Sequence, residues 1–412
     1  MIIFFLVSTI LSTILPNVQS DFDVKKIRLK NGATIIYSSI NWGQPTKIIG
    51  VFFKNGATLK FDKKTGLPAL TQQILSLKIR KLSRELGFRY RSDLTWDYLA
   101  YILYLPPGME KNSLSRIWSA FYEETTVENS DFNLGKNNIA LSIKYDFEHK
   151  IITFPLISFM AHHNSIYSIG KYGSLEDVNS ILPGEFTDFS RCYINPNNSV
   201  IISSAEKDIR ELTRVINTFK PCFRDERFED EGIVNLNVPG RSINYIKSEK
   251  KNFIIKLGFP SASCEKKESF IYDLIAEILK QDEIISALSG QIRINNQCYL
   301  NKGVFEIIFT DVKKDAEEIT TKLMRRIRFL SSDLDTATLS LAKTELDKNF
   351  GDIIGNKESF VCLLGKTQIS SGSYENFLNY LKMIETVKQP EVKEILKNIS
   401  NENIYKMYIR QE

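Results

Sequence analysis

The sequence predicts an α/β protein of two similar halves, each with a sheet that has helices packed on one face. From Lys25 onward, short strand-like segments alternate with longer segments of helical periodicity. The chain has 412 residues, whereas one hydrophobic core stops growing at roughly 200 to 250 residues. The order of elements also repeats, because residues 252–259 correspond to 50–57 and residues 401–409 to 195–203, at offsets of 202 and 206. A repeat of this period indicates two facing domains rather than a solenoid.

Turn and periodicity signals predict the elements of the first half. Asn31-Gly32 predicts a hairpin turn between the first two strands. The predicted strands are residues 26–29, 33–37, 47–53, two strands within 88–103 that break near Ser92-Asp93, and 199–203. The predicted helices are residues 67–86, 114–124, 178–189 and 209–219. In the second half, residues 269–281 correspond to the helix that starts at Leu67.

Residue types mark the start of the first helix. Thr65 is expected to cap it with its hydroxyl, and Pro68 suits the first turn, where a missing N–H costs nothing. Leu67, Leu70 and Ile74 begin an apolar face. This face is expected to pack against the sheet.

The first twenty residues have the pattern of a cleavable export signal. Residues 2–15 form an almost unbroken apolar run, and a small-residue boundary at 18–20 precedes Asp21. No Lys or Arg precedes the apolar run, so an uncleaved signal that anchors the chain in a membrane is the alternative. No later segment reaches a spanning length, and no membrane span is expected after cleavage. The predicted organisation is a signal peptide at 1–20, a first domain at 21–222, a linker at 223–234 and a second domain at 235–412.

The charge and cysteine content argue against a nucleic-acid-binding protein and against a cysteine metal site. The net charge of +5 arises from 54 basic and 49 acidic residues spread along the chain, without the dense Lys/Arg runs of a nucleic-acid-binding surface. The five cysteines are far apart and odd in number, so they give no metal-site spacing and at least one lies outside a disulfide. One disulfide is possible in an oxidising compartment, but the sequence does not choose the pair.

Several ordered segments resemble the pitrilysin/insulinase zinc peptidases. They are LKNGA at 29–33, FKNGA at 53–57, GLPALTQQIL at 66–75, GKYGSLEDV at 170–178 and YINPNNSV at 193–200. The resemblance covers residues 25 to 412 and depends on the order, spacing and duplication of these segments. It implies two homologous halves, each an antiparallel-rich sheet backed by helices, that close like a clamshell around an extended peptide.

The zinc motif of that family is missing. Its helix carries His-x-x-Glu-His, in which two His four residues apart bind zinc and the Glu activates water. The matching positions here are Ala69, Gln72 and Gln73, which supply no imidazole and no carboxylate. The family's third ligand, a Glu farther along the chain, is expected at Ile143 or Lys144, with Asp146 and Glu148 nearby only after a shift.

Other catalytic sites are disfavoured as well. The chain has only three His, at 149, 162 and 163. Adjacent side chains such as His162 and His163 diverge, so they are poorly placed to chelate one ion. No G-x-S-x-G segment is present. We therefore expect no metal and no cofactor on this chain, with zinc only on a partner chain.

The second half keeps two donors that the family uses. The segment LSGQIRINNQCY at 288–299 resembles the family's Arg–Tyr segment, and the matches are Arg293 and Tyr299. The resemblance implies that Arg293 holds a substrate carbonyl and that Tyr299 donates to the oxyanion. The structural alternative is that Arg293 ends a helix and that the Tyr299 ring packs under the next strand.

Two functions follow from this pattern. In the first, the chain is the inactive, non-zinc subunit of a hetero-oligomeric metallopeptidase, binds extended peptides and supplies Arg293 and Tyr299 to a composite site with a zinc-bearing homologue. In the second, it is a stand-alone exported peptide-binding or scaffold protein. Residues 88–103 are the expected peptide-binding edge, although burial explains their Tyr and Trp equally well. The export signal and the family favour a bacterial periplasm.

Overall fold

The structure is a computed structural model. It describes residues 23–411 except 41, 44, 60–63, 110, 124–126, 154–159, 161–166, 168–169, 206–208, 223–244, 249–252, 289, 313–314 and 402–403. The predicted signal at 1–20, the predicted linker at 223–234 and the pair His162-His163 lie outside the described residues.

Eleven strands lie in two sheets among the described residues. They are β1 Val24–Arg28, β2 Thr34–Ser38, β3 Lys47–Phe53, β4 Arg89–Leu94, β5 Leu99–Leu105, β6 Ser199–Ser203, β7 Tyr245–Ser248, β8 Phe253–Ser261, β9 Gln291–Cys298, β10 Gly303–Val312 and β11 Tyr405–Gln411. The first sheet has the order β1-β2-β6-β3-β5-β4 and the second has the order β7-β11-β8-β10-β9.

The two sheets share one topology once β1 is set aside. In the first sheet β2 and β6 are parallel, and in the second β11 and β7 are parallel, whereas the other neighbours are antiparallel. Strand β4 at the edge of the first sheet therefore corresponds to β9 at the edge of the second. The predicted fold class, with its internal duplication and antiparallel-rich sheets, is confirmed.

Helices follow the strands in a similar order in both halves. They are α1 Leu67–Leu86, α2 Lys111–Tyr122, α3 Asn129–Thr153, α4 Leu175–Ser180, α5 Pro183–Tyr193, α6 Ile209–Ile216, α7 Lys267–Gln281, α8 Glu283–Ser286, α9 Ala316–Asp333, α10 Thr336–Gly355, α11 Lys357–Ser370, α12 Glu375–Leu378, α13 Tyr380–Thr386 and α14 Gln389–Asn401. Helix α1 follows β3, and its counterpart α7 follows β8. Strands β3 and β6 and the end of α1 lie where the sequence predicts them.

The predicted break near Ser92-Asp93 is wrong. Strand β4 continues through both residues, and Ser92 pairs with Tyr101 of β5. The turn comes later because the Thr95 hydroxyl accepts a hydrogen bond from the Tyr98 amide at 3.1 Å, and the Thr95 amide donates to the Tyr98 carbonyl at 2.9 Å. Polarity at 92–93 reflects an edge strand rather than a turn.

The predicted cap of α1 is also wrong. Gly66 occupies the cap position with a left-handed φ of 89°, a conformation that favours glycine. The Thr65 hydroxyl instead donates to Asp177 and accepts from the Ser174 amide at 2.9 Å. The segment at 170–178 therefore holds the start of α1 in place.

One predicted helix, residues 178–189, is two helices. α4 ends at Ser180, and α5 begins at Pro183. Proline lacks an amide N–H and restricts the residue before it, so a continuous helix through Pro183 would lose a hydrogen bond and clash with the preceding turn.

Both faces of the first sheet are covered. On one face, odd-numbered residues of β3 such as Val51 pack with α1 and its neighbours, whereas on the other face Phe52 packs with α11 of the second half. The approach of α11 is very close, because a Cβ added to Gly365 would lie 2.1 Å from the Phe52 ring. Phe52 is buried and also contacts Tyr98 edge to face. Gly365 therefore sets how closely the two halves pack here.

We expect Gly365→Ala to lower the free energy of unfolding by about 1 to 3 kcal/mol, because the new methyl overpacks the Phe52 ring. Gly351 is the matched control, since it lies inside α10 with open space at its Cβ position. Gly351→Ala should raise stability by about 0.5 to 1 kcal/mol, as alanine does in a helix. Urea titrations of both variants measure the difference, and equal shifts would show that α11 does not pack tightly on β3.

One disulfide joins Cys264 to Cys298. It links the segment after β8 to the end of β9. Cys192, Cys222 and Cys362 form no disulfide, so the prediction that at least one cysteine stays outside a disulfide is confirmed. None of the helices in the described part of the chain combines the length and the apolar character needed to cross a membrane.

Candidate functional site

The positions that match the zinc motif lie at the start of α1. Ala69 is buried in the core of the first half, with 1% of its surface exposed. Gln72 is partly buried, and its side-chain amide donates to the Ser92 hydroxyl of β4 at 3.2 Å. The Gln72 carbonyl accepts a hydrogen bond from the Tyr101 hydroxyl at 2.9 Å. The amide that replaces the family's glutamate is thus bonded to the neighbouring edge strand.

Gln73 faces α3. Its side-chain oxygen accepts a long hydrogen bond of 3.5 Å from the Asn138 amide. The α3 residue that contacts this position is therefore Asn138, whereas the sequence predicted Ile143 or Lys144 at the place of the third ligand. Ile143 packs against the hydrophobic core instead. The position of the family's third ligand in this chain therefore stays a prediction.

Neutral groups surround these positions. The Tyr90 hydroxyl donates to the Ser76 carbonyl at 2.9 Å, and the Ser76 hydroxyl lies 3.3 Å from the hydroxyls of Ser92 and Tyr101. Burial raises the pKa of Tyr101 far above its usual range, so it stays protonated and acts as a donor. Amides and protonated hydroxyls do not take up a proton near neutral pH.

Edge strand β4 runs beside these positions. Its residues alternate between exposed and partly buried up to Leu94, as expected for an edge with one side toward solvent. The burial interpretation is confirmed for Trp96, Tyr98 and Tyr101, which are all buried. Arg91 is exposed, and its guanidinium pairs with Glu358 of α11 at 3.2 Å.

The structure does not bring Arg293 and Tyr299 together. Arg293 is exposed on edge strand β9, opposite Ile308 of β10, so it does not end a helix. Tyr299 lies six residues later, and a strand rises by about 3.3 Å per residue, which separates their α-carbons by about 20 Å. The Tyr299 hydroxyl donates to the Gln297 side chain at 2.8 Å. Its ring packs against Trp96 and Tyr167 of the first half.

No protein-family model and no curated protein matches the sequence. Solved structures do match over nearly the whole chain. A protease from Helicobacter pylori superposes with a TM-score of 0.82 at 13% identity, over 94% of this chain and 99% of the other. An M16-like peptidase from Alicyclobacillus acidocaldarius superposes with a TM-score of 0.78 at 13% identity, over 95% of this chain and 99% of the other. The chain has the M16 peptidase fold. This fold is the pitrilysin/insulinase architecture that the sequence predicts.

Two further solved structures match the chain. A peptidase M16 inactive domain from Pseudomonas fluorescens has a TM-score of 0.78 at 14% identity, over 94% of this chain and 97% of the other. A chain of Complex III2 from Candida albicans, with Inz-5 bound, has a TM-score of 0.75 at 16% identity, over 94% of this chain and 95% of the other. Identities this low establish the fold and leave the activity to the site itself.

The residues present do not fit the zinc ion that the M16 fold implies. Zinc needs imidazole, thiolate or carboxylate ligands, whereas Ala69 supplies a methyl group, and Gln73 and its partner Asn138 supply neutral amides. Among the described residues, no three His, Cys, Asp or Glu side chains come together as a metal site. The residues at this position therefore combine a peptidase fold with side chains that do not suit zinc.

Sequence reasoning missed Asp97, which joins the two halves of the M16 fold. Its carboxylate accepts hydrogen bonds from the Leu300 amide at 2.9 Å, the Ser370 hydroxyl at 3.2 Å and the Tyr167 hydroxyl at 3.4 Å. Burial raises the pKa of Asp97, while these hydrogen bonds and the Lys366 ammonium lower it. An Asp in a hairpin turn carries no local signal of such long-range contacts.

Proposed function

We propose that this chain is a catalytically silent subunit of the M16 type, which binds extended peptides and acts with a zinc-bearing homologue. The observation that carries the proposal is the loss of every metal-binding position at once. Ala69, Gln72 and Gln73 leave no donor for zinc, and hydrogen bonds to Ser92 and Asn138 fix the two amides in place. A site altered in this way contributes to peptide hydrolysis only through a partner.

Peptide binding is supported by the free edges of the two sheets. Among the described residues, β4 and β9 each form one edge of their sheet, and an extended peptide adds to such an edge through backbone hydrogen bonds. Gln72 lies beside Ser92 of β4, and the two side chains supply neutral donors and acceptors to a bound backbone.

Arg293 and Tyr299 lie too far apart to contact the same peptide bond. At about 20 Å, they contact points about six residues apart on an extended peptide rather than one peptide bond. Arg293 is exposed on β9 and ready to bind a carbonyl, whereas the Tyr299 hydroxyl must first leave Gln297. Each residue is therefore expected to contribute separately to a composite site.

The partner and the location belong to the same proposal. One structural neighbour is a chain of Complex III2, and another is an inactive M16 domain, which supports a non-catalytic chain within a larger assembly. The Cys264–Cys298 disulfide suits an oxidising compartment. We propose an exported protein of the bacterial periplasm, with a membrane-anchored form as the alternative if the signal is not cleaved.

Peptide hydrolysis by the purified chain, with zinc quantified in the same sample, tests the proposal. We expect no cleavage and less than one zinc per ten chains when the chain is alone. Mixing with a zinc-bearing homologue from the same genome should produce cleavage above that of the homologue alone. Stoichiometric zinc with cleavage by the isolated chain would overturn the proposal, and peptide binding without activity in any mixture would favour the stand-alone binding protein.

Two variants test the contributions of Arg293 and Tyr299 to hydrolysis separately from subunit assembly. Tyr299→Phe keeps the ring against Trp96 and Tyr167 and removes only the hydroxyl, and Arg293→Gln removes an exposed charge. In the mixture, each should reduce kcat/KM by about tenfold or more, the range of a single oxyanion or orienting donor, without changing the melting temperature. Lys302→Gln, which removes the charge of a partly buried lysine on the neighbouring turn, serves as the control. Unchanged kcat/KM in both variants would exclude the composite site and leave the assembly intact.

A further inference from the structure

A cavity of about 260 Å³ lies in the second half, among α7 and helices α10 to α13. Its walls are mainly aromatic and aliphatic. Phe350 stacks on Tyr380 at 5.6 Å between ring centroids, and Tyr380 contacts Phe270 at 5.6 Å. Packed rings of this kind give the cavity a rigid apolar wall, and its volume is near the lower end of the range of small-molecule pockets.

Among the described residues, two charged side chains line this cavity, and they have opposite signs. Asp273 projects from α7 and Lys366 from α11. The Asp273 carboxylate accepts hydrogen bonds from the Asn296 amide and the Tyr380 hydroxyl, each at 3.1 Å. Burial raises the pKa of Asp273 to about 6, although Lys366 and Lys280 oppose this effect. Two neutral donors therefore hold the carboxyl group in position, and no cation of the described residues contacts it directly.

Lys366 is the complementary charge. It is partly buried, and within the described part of the chain its ammonium makes no hydrogen bond and no ion pair within 4 Å. Its charge acts on Asp273 and on Asp97 from a longer distance. A partly buried ammonium and a carboxyl group that share an apolar cavity without contact leave room for a ligand between them.

We propose that this cavity binds an α-amino acid with an apolar side chain, with its ammonium on Asp273, its carboxylate on Lys366 and its side chain against the aromatic wall. A simple carboxylate would satisfy Lys366 but would be repelled by Asp273. A simple amine would satisfy Asp273 but would be repelled by Lys366. An α-amino acid carries both charged groups and its side chain on one carbon. Its ammonium can pair with Asp273, its carboxylate with Lys366, and its apolar side chain can pack on the aromatic wall. The inference is independent of the proposed peptidase-like role.

Calorimetric titration of the whole chain with L-leucine and L-phenylalanine tests the inference. N-acetyl-L-phenylalanine lacks the ammonium charge, and L-phenylalanine methyl ester lacks the carboxylate charge. At pH 7.5 we expect at least one of the two amino acids to bind with one ligand per chain, and both analogues to bind at least tenfold more weakly. Absence of binding by both amino acids, or equal binding by the analogues, would overturn the proposal.

Variants test whether the ligand binds in this cavity. Asp273→Asn keeps one acceptor oxygen and the shape of the side chain beside Asn296 and Tyr380. Lys366→Met keeps an unbranched apolar side chain but removes the charge. Each should weaken binding at least tenfold. Asp333→Asn and Lys397→Met change the same residue types at exposed positions of α9 and α14 and should leave binding unchanged. Circular dichroism confirms the fold of each variant. Equal weakening in the control pair, or full binding in both cavity variants, would place the ligand elsewhere and contradict the proposal.

Discussion

Removal of the Cys264–Cys298 disulfide is expected to lower the free energy of unfolding by about 3 to 4 kcal/mol, since it closes a loop with a sequence separation of 34. The loss arises mainly because the unfolded chain gains freedom. The disulfide also fixes the end of β9 beside the segment whose Cys264 amide donates to the Tyr299 carbonyl at 3.1 Å. The double variant Cys264→Ser/Cys298→Ser, followed by urea titration, measures the effect.

Chemical reduction provides the matched comparison. A reducing agent should lower the stability of the natural chain to that of the double variant and should leave the double variant unchanged. Cys222→Ser, at a cysteine that forms no disulfide, should change stability by less than about 0.5 kcal/mol. A natural chain that is insensitive to reduction, with two free thiols at Cys264 and Cys298 by mass spectrometry, would contradict the prediction.

Asp97→Ala is expected to destabilise the protein by about 2 to 3 kcal/mol, because it removes the acceptor for three donors at the junction of the halves. Asp97→Asn should cost less than about 1 kcal/mol. Its carboxamide keeps an acceptor for the Leu300 amide and avoids burying a charge, which is the cause of the raised pKa of Asp97. Thermal and urea unfolding of the two variants give the comparison.

Asp93→Ala is the control for this junction, because Asp93 is exposed on β4 only four residues away. It should change the free energy of unfolding by less than about 0.5 kcal/mol. Hydrogen exchange of the Leu300 amide adds a local measurement, and its protection should fall in Asp97→Ala but not in Asp93→Ala. Equal losses in the two alanine variants would mean that the hairpin, and not the junction, determines stability.

Local signals predicted most of the fold. Strands such as β3 and β6 have continuous apolar sequence, and Asn31-Gly32 encodes its own turn. The predictions failed where residues distant in the sequence determine the local structure. Thr65 does not cap α1, because its hydroxyl is bonded to Asp177 and Ser174.

The candidate site was predicted in composition but not in geometry. Ala69, Gln72 and Gln73 were identified because a missing ligand is visible in the sequence itself. Their partners Ser92 and Asn138 were not, because pairing across elements depends on the register of β4 and α3. Arg293 and Tyr299 were found because their segment resembles the family's Arg–Tyr segment. Their spacing does not distinguish a loop, in which they converge, from the extended path along β9 to the following turn, in which they lie apart.

The sequence by itself determined that this protein has two duplicated α/β halves and lacks the donors that bind zinc, since both are properties of residue type and order. Only the tertiary structure decided which cysteines pair, where the halves touch and which charges share a cavity. Cys264 with Cys298, Asp97 with Leu300, and Asp273 with Lys366 are each far apart along the chain. Such contacts form through the packing of sheets and helices, whose positions local sequence does not encode.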